Sequence, residues 1–246
     1  MGGIALKLDI VLRAEDISPK ELKGKTAVAI DVFRATTTII TALEKGCRSV
    51  IPVVSIEEAE KKKEELLASG HGVFTAGERK GLKIPGFDLG NSPQELRDVS
   101  LKDKIIILTT SNGTRAIRNS EGADRILIGA FINCRAVAEV LASKYGDVIF
   151  VCAGRLGEFS LEDFLAAGAM TYYLRKKTEQ ALEISDLTAA AEKLFECTKG
   201  DLLGFLGKTK HGKYLKEIGY SRDIDYCCTL NTSSIVPEYA EGEIKI

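Results

Sequence analysis

Apolar, β-branched runs recur along this chain, each followed by an interval long enough for a helix. They are "TAVAI" (Thr26 to Ile30), "SVIPVV" (Ser49 to Val54), "IIIL" (Ile105 to Leu108), "RILIGAF" (Arg125 to Phe131) and "DVIFVCA" (Asp147 to Ala153). None alternates with polar residues, so each reads as a strand buried on both faces. Between them lie segments with helical spacing. In "SIEEAEKKKEELLASG", Ser55 and Glu58 form a capping-box pattern and Gly70 a stop, and "RAVAEVLASKYG" carries a second apolar stripe. This alternation predicts an α/β fold, a three-layer α/β/α arrangement with a mainly parallel sheet. No linker divides the chain, so residues 1–246 are expected to form one α/β catalytic domain, at most in two lobes.

A weak internal repeat supports the same architecture. Aligning Gly46 of "ALEKGCRSVIPV" with Gly122 of "RNSEGADRILIGA" sets "VAI" over "III" and the loop "DVFRATTT" over "LTTSNGT". Duplication of a βα unit and chance likeness between two such units both account for it.

Charge narrows the partners. With 34 basic against 35 acidic side chains, the chain lacks the basic excess that nucleic acid or an anionic membrane surface requires. No apolar run is long enough to span a bilayer, and Lys7, Asp9 and Arg13 interrupt the N-terminal stretch, so a cytoplasmic protein is expected. Six cysteines without a C-x-x-C pair, beside only two histidines, argue against a zinc site or a disulfide framework. The expected partner is a small anionic molecule, and the expected assembly a homodimer.

In an open parallel sheet, ligands bind beyond the carboxyl ends of the strands. Three strand-end loops here carry chemistry: "DVFRATTT" from Asp31, "TTSNGT" from Thr109 and "GRLGEFSLED" from Gly154. The second offers Thr110, Ser111, Asn112, Gly113 and Thr114 where a helix should start. It reads either as a phosphate or sulfonate cradle or as an ordinary cap in which Ser111 or Asn112 serves the helix. In the first loop, Asp31 with Arg34 suits metal and phosphate recognition, or else a surface ion pair. In the third, Ser160 with Asp163 fits a capping box, and the adjacent Glu162 adds a second acid that a cation would offset. The Gly- and Pro-rich stretch from Gly77 to Pro93 is long for a connection. It brings Glu78, Arg79 and Lys80 in "GERKG", and Asp88, Asn91 and Ser92 in "GFDLGNSP"; a solvated charged loop is the alternative.

Several familiar signatures are absent. Gly207-Lys208-Thr209 lacks the upstream glycine of a phosphate loop and follows a helical run, and there is no G-x-G-x-x-G. His71 and His211 read as solvent-exposed, and no Ser-His-Asp set can be assembled. An aspartyl-phosphate at Asp31 lacks a supporting acid two positions on, where Phe33 stands. Acids, arginines and a hydroxyl-rich turn together point to metal-assisted chemistry on an anion.

"DVFRATTT", "GERKG", "GFDLGNSP", "TTSNGT" and "FSLED", in this order, with the closing "SSIVPEY", resemble the 2-phosphosulfolactate phosphatase family. The resemblance implies an α/β fold and Mg²⁺-dependent hydrolysis of 2-phospho-3-sulfolactate to 3-sulfolactate and phosphate, a step toward coenzyme M. In that light Asp31, Arg34 and Arg79 are the expected catalytic residues, with Arg115 adding positive charge. Asn91, Ser92, Thr110, Ser111, Asn112, Gly113 and Thr114 are expected to bind substrate, and some of Asp31, Glu78, Glu162 and Asp163 to hold Mg²⁺ while water attacks in line. The rival readings are a binding protein for a phosphorylated or sulfonated metabolite, and a phosphotransferase, for which no ATP loop is visible.

Overall fold

A computed structural model describes residues 5–143 and 146–246. Its strands are β1 (Leu6–Val11), β2 (Thr26–Ile30), β3 (Ser49–Val53), β4 (Val73–Arg79), β5 (Leu82–Lys83), β6 (Ile105–Thr109), β7 (Arg125–Gly129), β8 (Val148–Cys152), β9 (Leu182–Ile184), β10 (Glu238–Ala240) and β11 (Glu243–Lys245). Its helices are α1 (Ala35–Glu44), α2 (Ile56–Ala68), α3 (Pro93–Arg97), α4 (Gly113–Asn119), α5 (Cys134–Ala142), α6 (Leu161–Lys177), α7 (Asp186–Thr198), α8 (Leu202–Leu206), α9 (Lys210–Glu217) and α10 (Ser221–Cys227).

All five expected strands are present. The strand at the N-terminus escapes a search for unbroken apolar runs because it is one-sided. Leu6, Leu8 and Ile10 face inward while Lys7 and Asp9 face solvent, so the charges that break the run mark its outer face. The stretch expected as a long loop begins instead with the end of β4: Glu78 and Arg79 are strand residues, and β5 turns back against them.

The strand order is β5-β4-β6-β3-β11-β10-β7-β2-β8-β1-β9. Two parallel groups, β9-β1-β8-β2-β7 and β3-β6-β4, are joined by the antiparallel hairpin β10–β11, which pairs with β7 on one side and β3 on the other. The chain repeat acquires a topological meaning here. In β2–α1–β3 and β6–α4–β7 alike, each unit places its second strand beside the first strand of the other, since β2 pairs with β7 and β6 with β3.

Packing follows the period of two along each strand. Val28 and Ile30 of β2 enter a core built with α5, α6 and α7, whereas Ala27 and Ala29 enter a second core with α1 and α4. That second core also takes Ile106 and Leu108 from β6, while Ile105 and Ile107 turn outward to a third core that includes Ala59 of α2. Helices α1 and α4 thus lie against both strand groups, and the sheet curls around them. Along the sheet the two groups run in opposite senses, yet a right-handed twist of about 20–25° per step over the interfaces between β2 and β6 undoes much of that reversal in space. The carboxyl ends of β2 and β6 can therefore meet.

Candidate active site

Register sets which loops stand together. Ile30 is level with Cys152, so the β2 and β8 loops leave the sheet side by side, and the Val32 N–H reaches Oδ1 of Asp163 at 2.8 Å. In the other group Gly77 is level with Thr109, and the Ser111 N–H donates to Oε1 of Glu78 at 2.7 Å. The groups meet at Gly113, which packs against Asp31 and Ala35. Between them is a cavity of about 270 Å³ lined by Asp31, Glu78, Asn91, Ser111, Asn112 and His211, with Arg34, Lys80, Gly81, Arg155 and Tyr214 among its other walls. A second hollow of about 250 Å³ adjoins it across Ser111, Asn112 and Leu156, and is walled by Arg13, Arg115, Gly154 and Glu158.

Asn112 holds the N-cap position of α4, but neither its side chain nor that of Ser111 makes a capping bond. Thr110 does that work: its hydroxyl accepts the Thr114 N–H at 3.0 Å, while the Thr114 hydroxyl donates back to the Thr110 carbonyl at 3.1 Å. Both threonines are buried, and their hydroxyls are committed to the turn, which leaves Ser111 and Asn112 to face the cavities. Gly113 is required by space and not by a positive φ, since its φ lies outside the left-handed region. A Cβ there would collide with Cβ of Ala35 and lie 2.5 Å from Oδ2 of Asp31. Gly113→Ala is therefore expected to cost about 1–3 kcal/mol of stability by overpacking and, by displacing Asp31, to reduce turnover at least tenfold. Thermal unfolding and steady-state kinetics on the same preparation check both.

The predicted cations separate into different roles. Arg34 is buried and bound on every side. It pairs with Asp223 at 2.8 Å, donates to the Gly81 carbonyl at 2.6 Å and lies 3.9 Å from the centre of the Tyr220 ring. Arg79 donates to the carbonyl of Glu78 and to the Thr109 hydroxyl, and lines neither hollow. The two arginines do not converge on one pocket as a pair. Arg115 is exposed in the second hollow and makes no ion pair among the described residues. Ser92 caps α3 through its accepted Glu95 N–H and donates to Oδ1 of Asp223 at 2.7 Å. Asn91 is buried on the wall of the first cavity, and its Oδ1 has no partner among the described residues, an uncommon state for a buried amide.

Among the residues of the site not singled out from the sequence, two make polar contacts to buried side chains. His211, expected to be solvent-exposed, is half-buried in the cavity wall, with Nδ1 2.6 Å from Oε1 of Glu162. Thr209, part of the false phosphate-loop tripeptide, is the N-cap of α9 and so places His211 in its first turn. Asp223, the partner of both Arg34 and Ser92, comes from α10. No local pattern in "KTKHG" or "SRDID" announces either contact.

A family model described as 2-phosphosulpholactate phosphatase matches residues 11–242, a span that includes every residue named above for the site. The chain belongs to this family. A probable 2-phosphosulfolactate phosphatase of Clostridium acetobutylicum is 44% identical over 239 residues, which cover 97% of this chain and all of the relative. Those of Clostridium tetani and Clostridium perfringens are 43% and 41% identical over 240 residues, covering 98% of this chain in each case and 100% and 96% of the relatives.

In this member of the 2-phosphosulpholactate phosphatase family the acids differ in what they can do. Burial pushes the Asp31 carboxyl up to about 7, against the pull of His211 and with a further rise from Glu78 and Glu162. Burial also raises Asp163 well above the usual carboxylate range, with Asp31 and Glu162 adding to it. Burial alone would raise Glu162, but the hydrogen bond and charge of His211 outweigh it and hold that carboxyl below its ordinary value. Each oxygen of Glu78 accepts one backbone N–H, from Ser111 and from Gly81. Ser160 heads α6 without a side-chain capping bond, and Asp163 reaches across to the Val32 N–H in the loop after β2. Among the described residues no three His, Cys, Asp or Glu side chains gather into a cage for an ion. Mg²⁺ does not need one, because it keeps several waters and takes one or two carboxylates together with substrate oxygens. Asp31, charged only at a cost and facing a cavity, fits that mode; Glu78 lines the same cavity while accepting two backbone N–H groups, and Glu162 is paired with His211. Among the described residues no helix is long and apolar enough to cross a membrane.

Proposed function

We propose that this protein is a Mg²⁺-dependent phosphatase that hydrolyses 2-phospho-3-sulfolactate to 3-sulfolactate and phosphate, serving coenzyme M biosynthesis. The observation that carries the reading is Asp31: a carboxyl that burial pushes up to about 7, on the wall of a small cavity where three strand-end loops converge. The family relationship adds the reaction class. When bound at Asp31, Mg²⁺ would supply positive charge to the phosphate oxygens and lower the barrier to attack by water.

The chain's own residues do the rest. Asn91, Ser111 and Asn112 offer hydrogen bonds to the phosphate, and Lys80 and Arg155 bring charge to the mouth of the cavity. The adjoining hollow, where Arg115 makes no ion pair among the described residues, suits the sulfonate, so one substrate occupies both hollows across Ser111 and Asn112. The Arg34–Asp223 pair holds the Gly81 turn and α10 against this wall and so fixes the shape of the cavity.

Phosphate release from 2-phospho-3-sulfolactate is expected with Mg²⁺, to be abolished by excess chelator and to return when the ion is restored. Arg115→Ala should lower kcat/KM on this ester by about tenfold or more, as for loss of one charge-assisted bond, and change little for phospholactate, which lacks the sulfonate. Full activity in chelator with no retained metal would remove the ion from the scheme. Equal effects of Arg115→Ala on both esters would remove the sulfonate assignment. Tight binding of the ester without phosphate release would favour a binding protein.

A further inference from the structure

We propose that His211 is the general acid of this hydrolysis, giving a proton to the ester oxygen as its bond to phosphorus breaks, with Glu162 as its positioning residue. The inference deepens the phosphatase reading and rests on it. Glu162 stands in the first turn of α6, its side chain only 3% exposed, and its Oε1 lies 2.6 Å from Nδ1 of His211. A buried carboxylate at that distance accepts a hydrogen bond, so Nδ1 carries a hydrogen and Nε2 is the nitrogen left to act. Phe33 meets the imidazole edge-on at 5.8 Å, and the histidine lines the cavity that Asp31 faces. The ring is thus held from two sides.

The other groups on the cavity wall are less suited to the task. Arginine side chains do not release protons, and Arg34 is moreover locked in its buried ion pair. The Tyr214 hydroxyl already donates to the carbonyl of Lys80 at 2.7 Å. Lys80 itself is exposed to solvent. Asp31 is assigned to the ion, and Glu78 is turned to backbone, with each of its oxygens accepting an N–H group. His211 is the remaining acid.

The chemistry needs such a group. The leaving oxygen is a secondary alkoxide, a far stronger base than phosphate, so cleavage is slow unless the oxygen is protonated in the same step. As a water oxygen bonds to phosphorus, the phosphorus–ester oxygen bond breaks and its electron pair stays on the ester oxygen, which takes the Nε2 proton. Of the two protons on the attacking water, one stays on the phosphate, and the other restores Nε2 by way of solvent.

The test compares 2-phospho-3-sulfolactate with p-nitrophenyl phosphate, whose leaving group departs without a proton, in wild type, His211→Ala and His211→Gln, with circular dichroism to confirm folding. General acid catalysis contributes typically 10²–10⁴-fold, so the variants should lose about that factor in kcat on the alkyl ester and less than about tenfold on the aryl ester. The ¹⁸O isotope effect at the bridging oxygen should rise in the variants, as the oxygen leaves with more negative charge. Glu162→Gln should show the same discrimination with a smaller loss. Equal losses on both esters, or an unchanged bridging isotope effect, would overturn the proposal. If wild type leaves the aryl ester intact, the isotope effect on the alkyl ester decides alone. Wild type that releases phosphate from neither ester would defeat the parent reading, and this one with it.

Discussion

Asp223→Ala is expected to lower Tm by about 6–20 °C, the largest stability effect of any single side chain considered for this protein. Asp223 accepts from Arg34 at 2.8 Å through one oxygen and from Ser92 at 2.7 Å through the other, and the arginine side chain is only 2% exposed. Removing the acid strands a guanidinium almost wholly shielded from water, and breaking a buried pair in this way costs about 3–5 kcal/mol. For a domain of this size each kcal/mol is worth about 2–4 °C. Differential scanning calorimetry gives the value directly. The double variant Arg34→Met/Asp223→Leu separates the pair's structural part from any part in catalysis. It should recover most of the loss in Tm, because apolar residues of similar volume replace buried ion pairs at little cost. A Tm drop below about 2 °C in Asp223→Ala would show that the guanidinium finds another partner.

Asp31→Asn is expected to abolish turnover and yet to stabilise the fold above neutral pH. The carboxyl titrates near its ordinary value of about 4 when unfolded and at about 7 when folded. Between those values the folded state binds more protons than the unfolded one, so the stability that a protonated Asp31 retains below pH ~4 is lost as pH rises through about 7. Asparagine never takes on the charge and avoids that loss. In chelator, the difference in stability between the Asp31→Asn variant and wild type should be near zero at about pH 4, grow through about pH 5–7 and level off above, at a size on the order of a few kcal/mol. Mg²⁺ should raise the Tm of wild type and leave the variant unchanged. A variant less stable than wild type at about pH 8 would mean that Asp31 is charged without cost.

The parts of the molecule legible in the sequence are those whose physics is local. The five buried strands carry apolar side chains on both faces, so no partner had to be known to find them. Strand β1 needed a reading by alternation, and β10 and β11 are three residues each, too short for any period to show. Asp31 and the Glu162–Asp163 step were visible because they directly follow strands or open a helix. What those acids touch was not visible. Asp163 accepting the Val32 amide beyond β2, Glu162 holding His211 and Arg34 facing Asp223 all join residues from distant stretches of chain, and each depends on where a helix docks. The hydroxyl-rich turn shows the same division. Its location was readable, whereas the assignment of Thr110 and Thr114 to the turn and of Ser111 and Asn112 to the cavity depends on φ and ψ at each step.

The β10–β11 hairpin has a consequence for vectorial synthesis. Its pairings reach from Glu238 back to Leu127 and from Ile244 back to Val50. A nascent chain therefore completes both parallel strand groups before the segment that lies between them leaves the ribosome. Until then β7 and β3 present open edges, the kind of template on which another chain can pair. Closure by such distant contacts is intrinsically slow. The hairpin is latched to β7 by the forked Arg125–Glu238 pair, at 2.9 and 2.6 Å. Chaperone dependence during translation, more than the finished enzyme's stability, is where a defect in this hairpin would first be felt.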